Sequence, residues 1–207
     1  MKRRAGVGLL GGSFNPAHGG HRRMSLRVME LMGLDEVWWL VSPQNPLKPT
    51  QGMAPLSARL ASARRVARHP RIRPTAIEAE LGTFQTIDTL RALTRRFPHI
   101  RFLWLMGADN LAQFHRWAEW RNIARLMPIV VFARPPYTGR SQSAPAMAWL
   151  RRYRRYDPAG WRNWQLPAII ILNLGHDRRS ATAIRAKAPD WAAGDSSPSQ
   201  HSRETRA

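Results

Sequence analysis

Between Gly6 and Met24 the chain reads GVGLLGGSFNPAHGGHRRM: a short apolar run, a glycine pair, a proline turn, two histidines three positions apart, and the start of a helical pattern. Glycines at 11 and 12 let backbone come close to a phosphate, and a helix opening near Gly20 offers unpaired N–H groups and the positive end of its dipole. His18 and His21 then face one space. Imidazoles there donate hydrogen bonds to phosphate oxygens and, when protonated, carry charge into a transition state. Two plainer roles stay open for the pair. A zinc site would need a third and a fourth ligand, which this loop lacks; otherwise the histidines cap and pack a helix start.

Further candidates follow along the chain. Lys48, in the loop SPQNPLKPTQG, can meet a substrate phosphate or stand solvated. Asp109, just past the break at Gly107, can accept hydrogen bonds from ribose hydroxyls, as an acid does in dinucleotide-binding sheets, or cap a helix. Thr86 is expected as the N-cap of a helix whose unpaired N–H groups, those of Thr86 and Ile87 among them, suit a carboxylate. Residues 179–185 read RSATAIR. Ser180 or Thr182 can cap a last helix there, with Arg185 gripping phosphates; the alternative is an ordinary capped helix with a surface arginine.

The elements that must position these groups alternate between strand and helix. Val7–Leu10, Glu36–Val41, Ile72–Ala76, Ile100–Met106, Pro128–Ala133 and Ala168–Leu172 read as strands. Helices are expected from about Gly20 to a stop at Gly33, then over Leu56–Arg68, Thr86–Phe97, Asn110–Phe114, Glu119–Leu126, Ala144–Arg155 and Thr182–Lys187. Strands this apolar have no wet face, so the pattern predicts a three-layer α/β domain with a parallel sheet. Ligands of such folds sit at the carboxyl ends of the strands, near the switch point of strand order, and the unusual loops lie at those ends. One domain is expected over residues 1–191. The tail, 192–207, is rich in serine, charge and small residues and is expected to be disordered.

Composition narrows the chemistry. Cysteine is absent, which removes disulfides, thiolate metal sites and cysteine nucleophiles. No run approaches the ~20 apolar residues of a membrane span, and the N-terminal apolar run is too short for a secretory signal, so a cytoplasmic protein is expected. The 33 Lys and Arg against 13 Asp and Glu give a net charge of +20. The arginines are scattered rather than gathered into a basic stripe with interleaved aromatics. That favours a solvated surface or an anion-attracting field around a site over a dedicated nucleic-acid module.

The segment GGSFNPAHGGH resembles the G-x-F-x-P-x-H-x-G-H signature of the nucleotidyltransferase superfamily, and the chain is similar to bacterial nicotinate-nucleotide adenylyltransferases over about Gly6–Lys187. Three further motifs carry the likeness: NPLK (Asn45–Lys48), GADNL with a tryptophan downstream (Gly107–Trp117), and RSATAIR. The resemblance implies a Rossmann-like fold and transfer of AMP from ATP to nicotinate mononucleotide, with Mg²⁺ carried by the ATP and no resident metal. It implies that His18, His21 and Arg185 serve the transferring phosphoryl group. Gly11, Gly12, Ser13, Phe14, Gly107, Asp109, Ser180 and Thr182 would join them around ATP; Asn45, Lys48, Thr86, Ile87 and Trp117 would hold the acceptor. Trp117 would stack on the pyridine ring.

The chain departs from the family pattern at Ala181, where a serine is usual, and at Gln85, where a tyrosine is usual. Sister enzymes that use phosphopantetheine or nicotinamide mononucleotide, and cytidylyltransferases, share the first loop. A basic RNA-binding protein would account for the charge but not for two phosphate cradles. The oligomeric state, a homo-oligomer included, is left open.

Overall fold

The structure is a computed structural model that describes residues 4–43, 52–133, 143–173, 181–188 and 190–192. Six parallel strands form one sheet in the order β3-β2-β1-β4-β5-β6. They are β1 Ala5–Gly12, β2 Glu36–Val41, β3 Ile72–Thr75, β4 Ile100–Gly107, β5 Ile129–Ala133 and β6 Ile169–Asn173. Strand order reverses between β1 and β4, so the switch point falls beside the glycine pair that ends β1.

Both faces of the sheet are dry, as the apolar strands require. Trp38, Leu40, Phe102, Trp104, Met106, Ile129 and Val131 point into one core, while Val37, Trp39, Leu103, Leu105, Val130 and Phe132 point into the other. The first is covered by α4 (Thr86–Arg96), α5 (Ala108–Gln113), α6 (Trp120–Leu126) and the single turn α7 (Met147–Leu150); the second by α1 (Gly19–Met32) and α2 (Leu56–Ala67). α1 stops at Gly33, whose φ of 56° is left-handed and costs a glycine nothing. A short α3 (Ile77–Glu80) leads from β3 toward α4, and α8 (Ala181–Lys187) is the last helix among the described residues.

Two expected helices differ. Thr86 is the first residue inside α4 rather than its cap; Gln85 holds the extended N-cap position and makes no side-chain cap. Ala144–Arg155 is helical only through α7 and a 3₁₀ turn at Arg151–Tyr153, because the Arg155 N–H donates to the Ile169 carbonyl (2.8 Å) and draws the chain onto the sheet edge. Nor is the arginine excess merely solvated. Arg121 stacks over Trp120 at 4.7 Å and Arg125 over Trp149 at 5.5 Å, where the rings' negative faces offset the cations. Among the described residues no helix is long and apolar enough to cross a membrane.

Candidate active site

His18 is the N-cap of α1, and the two histidines form a reciprocal cap. Gly20 N–H donates to His18 Nδ1 at 3.2 Å, and His18 N–H donates to His21 Nδ1 at 3.2 Å. The plainer capping role is therefore real, and it has a chemical consequence. A nitrogen that accepts cannot carry the proton, so each neutral ring holds its hydrogen on Nε2 and presents a donor there. The rings lie 3.9 Å apart. Phe14 packs against His21 at 4.8 Å and stacks on Trp39 at 5.2 Å, while Trp39 Nε1 donates to Ser25 Oγ, which in turn donates to the His21 carbonyl. Phe14 is 2 % exposed. Its side chain thus orients His21 from the core, and any role toward ATP falls to its backbone.

The loop around the histidines is pinned by a residue that no motif marks. Arg59 on α2 is 1 % exposed. Its guanidinium donates to the carbonyls of Ser13 (2.8 Å), Ser42 (2.6 Å), Pro43 (2.9 Å) and Ala54 (2.8 Å). It ties the loop after β1 to the loop after β2, and burial lowers its pKa from the ordinary arginine value. Asn15 adds a second tie: its side chain donates to the Gly52 carbonyl and accepts from Ala54 N–H. From the far end of the chain Arg185 donates to the Asn15 carbonyl and to Thr182 Oγ1 (3.3 Å). The first and last motifs therefore meet on one loop.

Beside this loop lies an open cleft of about 270 Å³, lined by Gly11, Gly12, Ser13, Ser42, Glu78, Phe84, Gln85, Thr86, Trp104, Asn110, Arg116, Trp117 and Ala118. A side chain at Gly11 would collide with the Trp104 indole, so the glycine is needed first for ring packing. Trp104 stands edge-on to Trp117 at 6.1 Å. Glu78 is the unusual wall residue. It is 9 % exposed, and burial pushes its pKa up to about 7 against the opposing hydrogen bond from Ser42.

The structure brings together Gly11, Gly12, Ser13, Thr86 and Trp117 around the cleft, and at the adjoining loop it brings His18 and His21 of the α1 start near Thr182 and Arg185 of α8. Ile87 is 1 % exposed with its side chain in the core, which leaves only its N–H for a ligand. Gly107 is the N-cap of α5, and Asp109 is an exposed first-turn residue folded back over it, not the cap. Asn45, Lys48 and Ser180 lie outside the described residues. Among the described residues no three His, Asp or Glu side chains gather to hold a metal ion. Arg59, Glu78, Ser42, Trp104, Phe84 and Arg116 were not marked by sequence. Phe84, 77 % exposed on the cleft rim, carries the one legible signal, an apolar ring beside Gln85 in a turn.

A cytidylyltransferase-like family model matches residues 9–187. A probable nicotinate-nucleotide adenylyltransferase from Erythrobacter litoralis is 59% identical over 89% of this chain and 85% of its own length. One from Parvibaculum lavamentivorans is 52% identical over 87% of this chain and 91% of its own. In fold, the chain is similar to a Plasmodium falciparum nicotinic acid mononucleotide adenylyltransferase complexed with NaAD, at TM-score 0.63 and 14% identity, over 88% of this chain and 83% of that one. Every element that lines the cleft or clasps its loop falls inside the matched span, and with more than half of the aligned residues identical in each of the two bacterial relatives the chain belongs to the nicotinate-nucleotide adenylyltransferase family.

Proposed function

We propose that the chain transfers the adenylyl group of ATP to nicotinate mononucleotide, with the residues of the first loop, the cleft and α8 in the following roles. An oxygen of the acceptor's 5′-phosphate attacks the α-phosphorus in line; the bond from that phosphorus to the bridging oxygen breaks, and pyrophosphate leaves with its electron pair. Such a step needs no protein nucleophile, only alignment and donors for the charge that develops. Mg²⁺ enters with the triphosphate and screens the leaving group. His18 and His21 donate from Nε2 to the α-phosphoryl oxygens, and Arg185 grips the departing phosphates. Gly11–Ser13 leave room for phosphate, and Asp109 accepts from the ATP ribose. Asn45 and Lys48 meet the acceptor's phosphate end. The supporting observation is the reciprocal histidine cap, which makes both rings Nε2–H donors at a helix start. The reaction is placed in the cytoplasm.

At the other end of the cleft Trp117 stacks on the pyridine ring, and the first N–H groups of α4 receive the nicotinate carboxylate. Gln85 makes no side-chain cap there, so no side chain competes for those donors. A carboxylate gains charge-assisted hydrogen bonds from them, whereas an amide offers one neutral acceptor and an NH₂ they cannot pair with. Nicotinate mononucleotide is expected to be used at least about tenfold better than nicotinamide mononucleotide, a difference of about 1.4 kcal/mol. Pyrophosphate release with MgATP and each of nicotinate mononucleotide, nicotinamide mononucleotide and phosphopantetheine tests both points. Equal kcat/KM for the two mononucleotides would show that the cleft does not read the charge, and release with phosphopantetheine alone would overturn the acceptor assignment.

A further inference from the structure

The mechanism above leaves Glu78 unused, although it is a carboxyl nine-tenths buried in the cleft wall. Its place is set by a run of hydrogen bonds from one end of the cleft to the other. Ser42 N–H donates to the Gly12 carbonyl (3.0 Å) at the phosphate end, and Ser42 also bonds the Glu78 side chain. Glu78's own carbonyl accepts from Thr83 N–H (3.0 Å), and Thr83 Oγ1 lies 2.8 Å from Thr89 Oγ1 on α4, at the ring end. Glu78 therefore stands between the phosphate cradle and the carboxylate-binding helix start. The part of a mononucleotide that spans those two ends is its ribose.

We infer that Glu78 positions the acceptor by accepting hydrogen bonds from the ribose 2′- and 3′-hydroxyls, an assignment that rests on the acceptor proposed above. A carboxylate with two acceptor oxygens matches a vicinal diol, and a neutral wall of the same shape would not hold it. Stability points the same way. Burial raises the folded-state pKa, so the associated stability is full below the unfolded carboxylate value and is lost as pH rises through about 7. Ionisation of Glu78 in the free protein therefore leaves a desolvated charge beside neutral Ser42, and a bound diol would add hydrogen bonds to it.

The pH dependence has a sign. Acceptor binding favours ionised Glu78, so the acceptor KM is expected to rise as pH falls below about 7, with Glu78 taking up the proton. Around it, Ser42 is neutral, Arg116 is the other charged wall residue among the described ones, and the exposed Asp109 does not line the cleft. His18 and His21 lie at the phosphate cradle, on the side assigned above to ATP. The acceptor's own phosphate titrates near 6 by analogy with other phosphomonoesters.

In Glu78→Gln the acceptor KM is expected to rise about tenfold with kcat within about threefold, and the step near pH 7 to vanish while the phosphate step near 6 remains. The variant should melt higher than wild type at pH 8 and nearly alike at pH 4, below the unfolded carboxylate value. With the wild-type protein, nicotinate mononucleotide carrying a 2′-deoxyribose should show a similar KM penalty, which Glu78→Gln should not show. An unchanged KM, a persisting step near 7, or an equal 2′-deoxy penalty in both proteins overturns the inference. If the variant does not fold, the wild-type pH profile and the deoxy acceptor decide it. Failure of wild-type protein to release pyrophosphate with nicotinate mononucleotide would instead overturn the acceptor assignment itself.

Discussion

Replacing His21 with alanine is expected to lower turnover by about 10²–10³-fold, the usual cost of removing one transition-state donor. The substitution also removes the acceptor for His18 N–H, so about 1 kcal/mol of stability goes with it. His21→Asn separates the two effects. Its side-chain oxygen can still accept from His18 N–H, while its shorter amide does not reach where Nε2–H stands. The asparagine variant should therefore melt close to wild type and turn over nearly as slowly as the alanine variant. Steady-state pyrophosphate release and thermal unfolding of both variants check this, and near wild-type turnover in a folded alanine variant would falsify the role.

Arg59→Met is expected to be the costliest single change to the fold. Methionine fills part of the space but leaves the carbonyls of Ser13, Ser42, Pro43 and Ala54 without their donor. Each unsatisfied buried group costs about 1–3 kcal/mol where water cannot reach it. Some of the four will regain water, so a total of about 3–5 kcal/mol is expected, or about 6–20 °C in melting temperature for a chain of this size. Turnover should fall as well, because the same bonds hold the loop that carries the histidines. Arg59→Lys keeps the charge but not the planar fork, and should recover only part of the loss. A methionine variant melting within about 2 °C of wild type would show that the two loops hold themselves.

What could be read in the sequence was what depends on local pattern. EVWWLV has apolar residues at every position after the first and is bounded as a buried strand from that alone; β2 is Glu36–Val41. The glycine pair, the histidine spacing and Gly33 are local signals too: the pair ends β1, the histidines open α1 and Gly33 stops it. Tertiary forces decided the rest. Thr86 looked like a cap because threonine caps helices, but the chain enters α4 one residue earlier, through Gln85. The helical pattern after Ala144 lost to a backbone bond with β6. Arg59 could not be told from the other arginines, since what distinguishes it is four carbonyls from two loops distant in sequence. Glu78 likewise looks like any acid in IEAELG; its burial comes from the way α3 folds over the end of β2.

The clasp between Arg185 and the Asn15 carbonyl joins residues 170 positions apart. During synthesis at about 5–20 residues per second, about 10–30 s separate the two. Over that interval the emerging polypeptide can pair β1 with β2, β2 with β3 and later β1 with β4, so the strands that flank the histidine loop are available before Arg185 is made. On the proposed assignment its hold on the leaving phosphates is completed only when the final motif arrives. On that assignment, a chain cut short of Arg185 carries the histidines without the arginine and is expected to hold ATP more weakly than the chain that includes it.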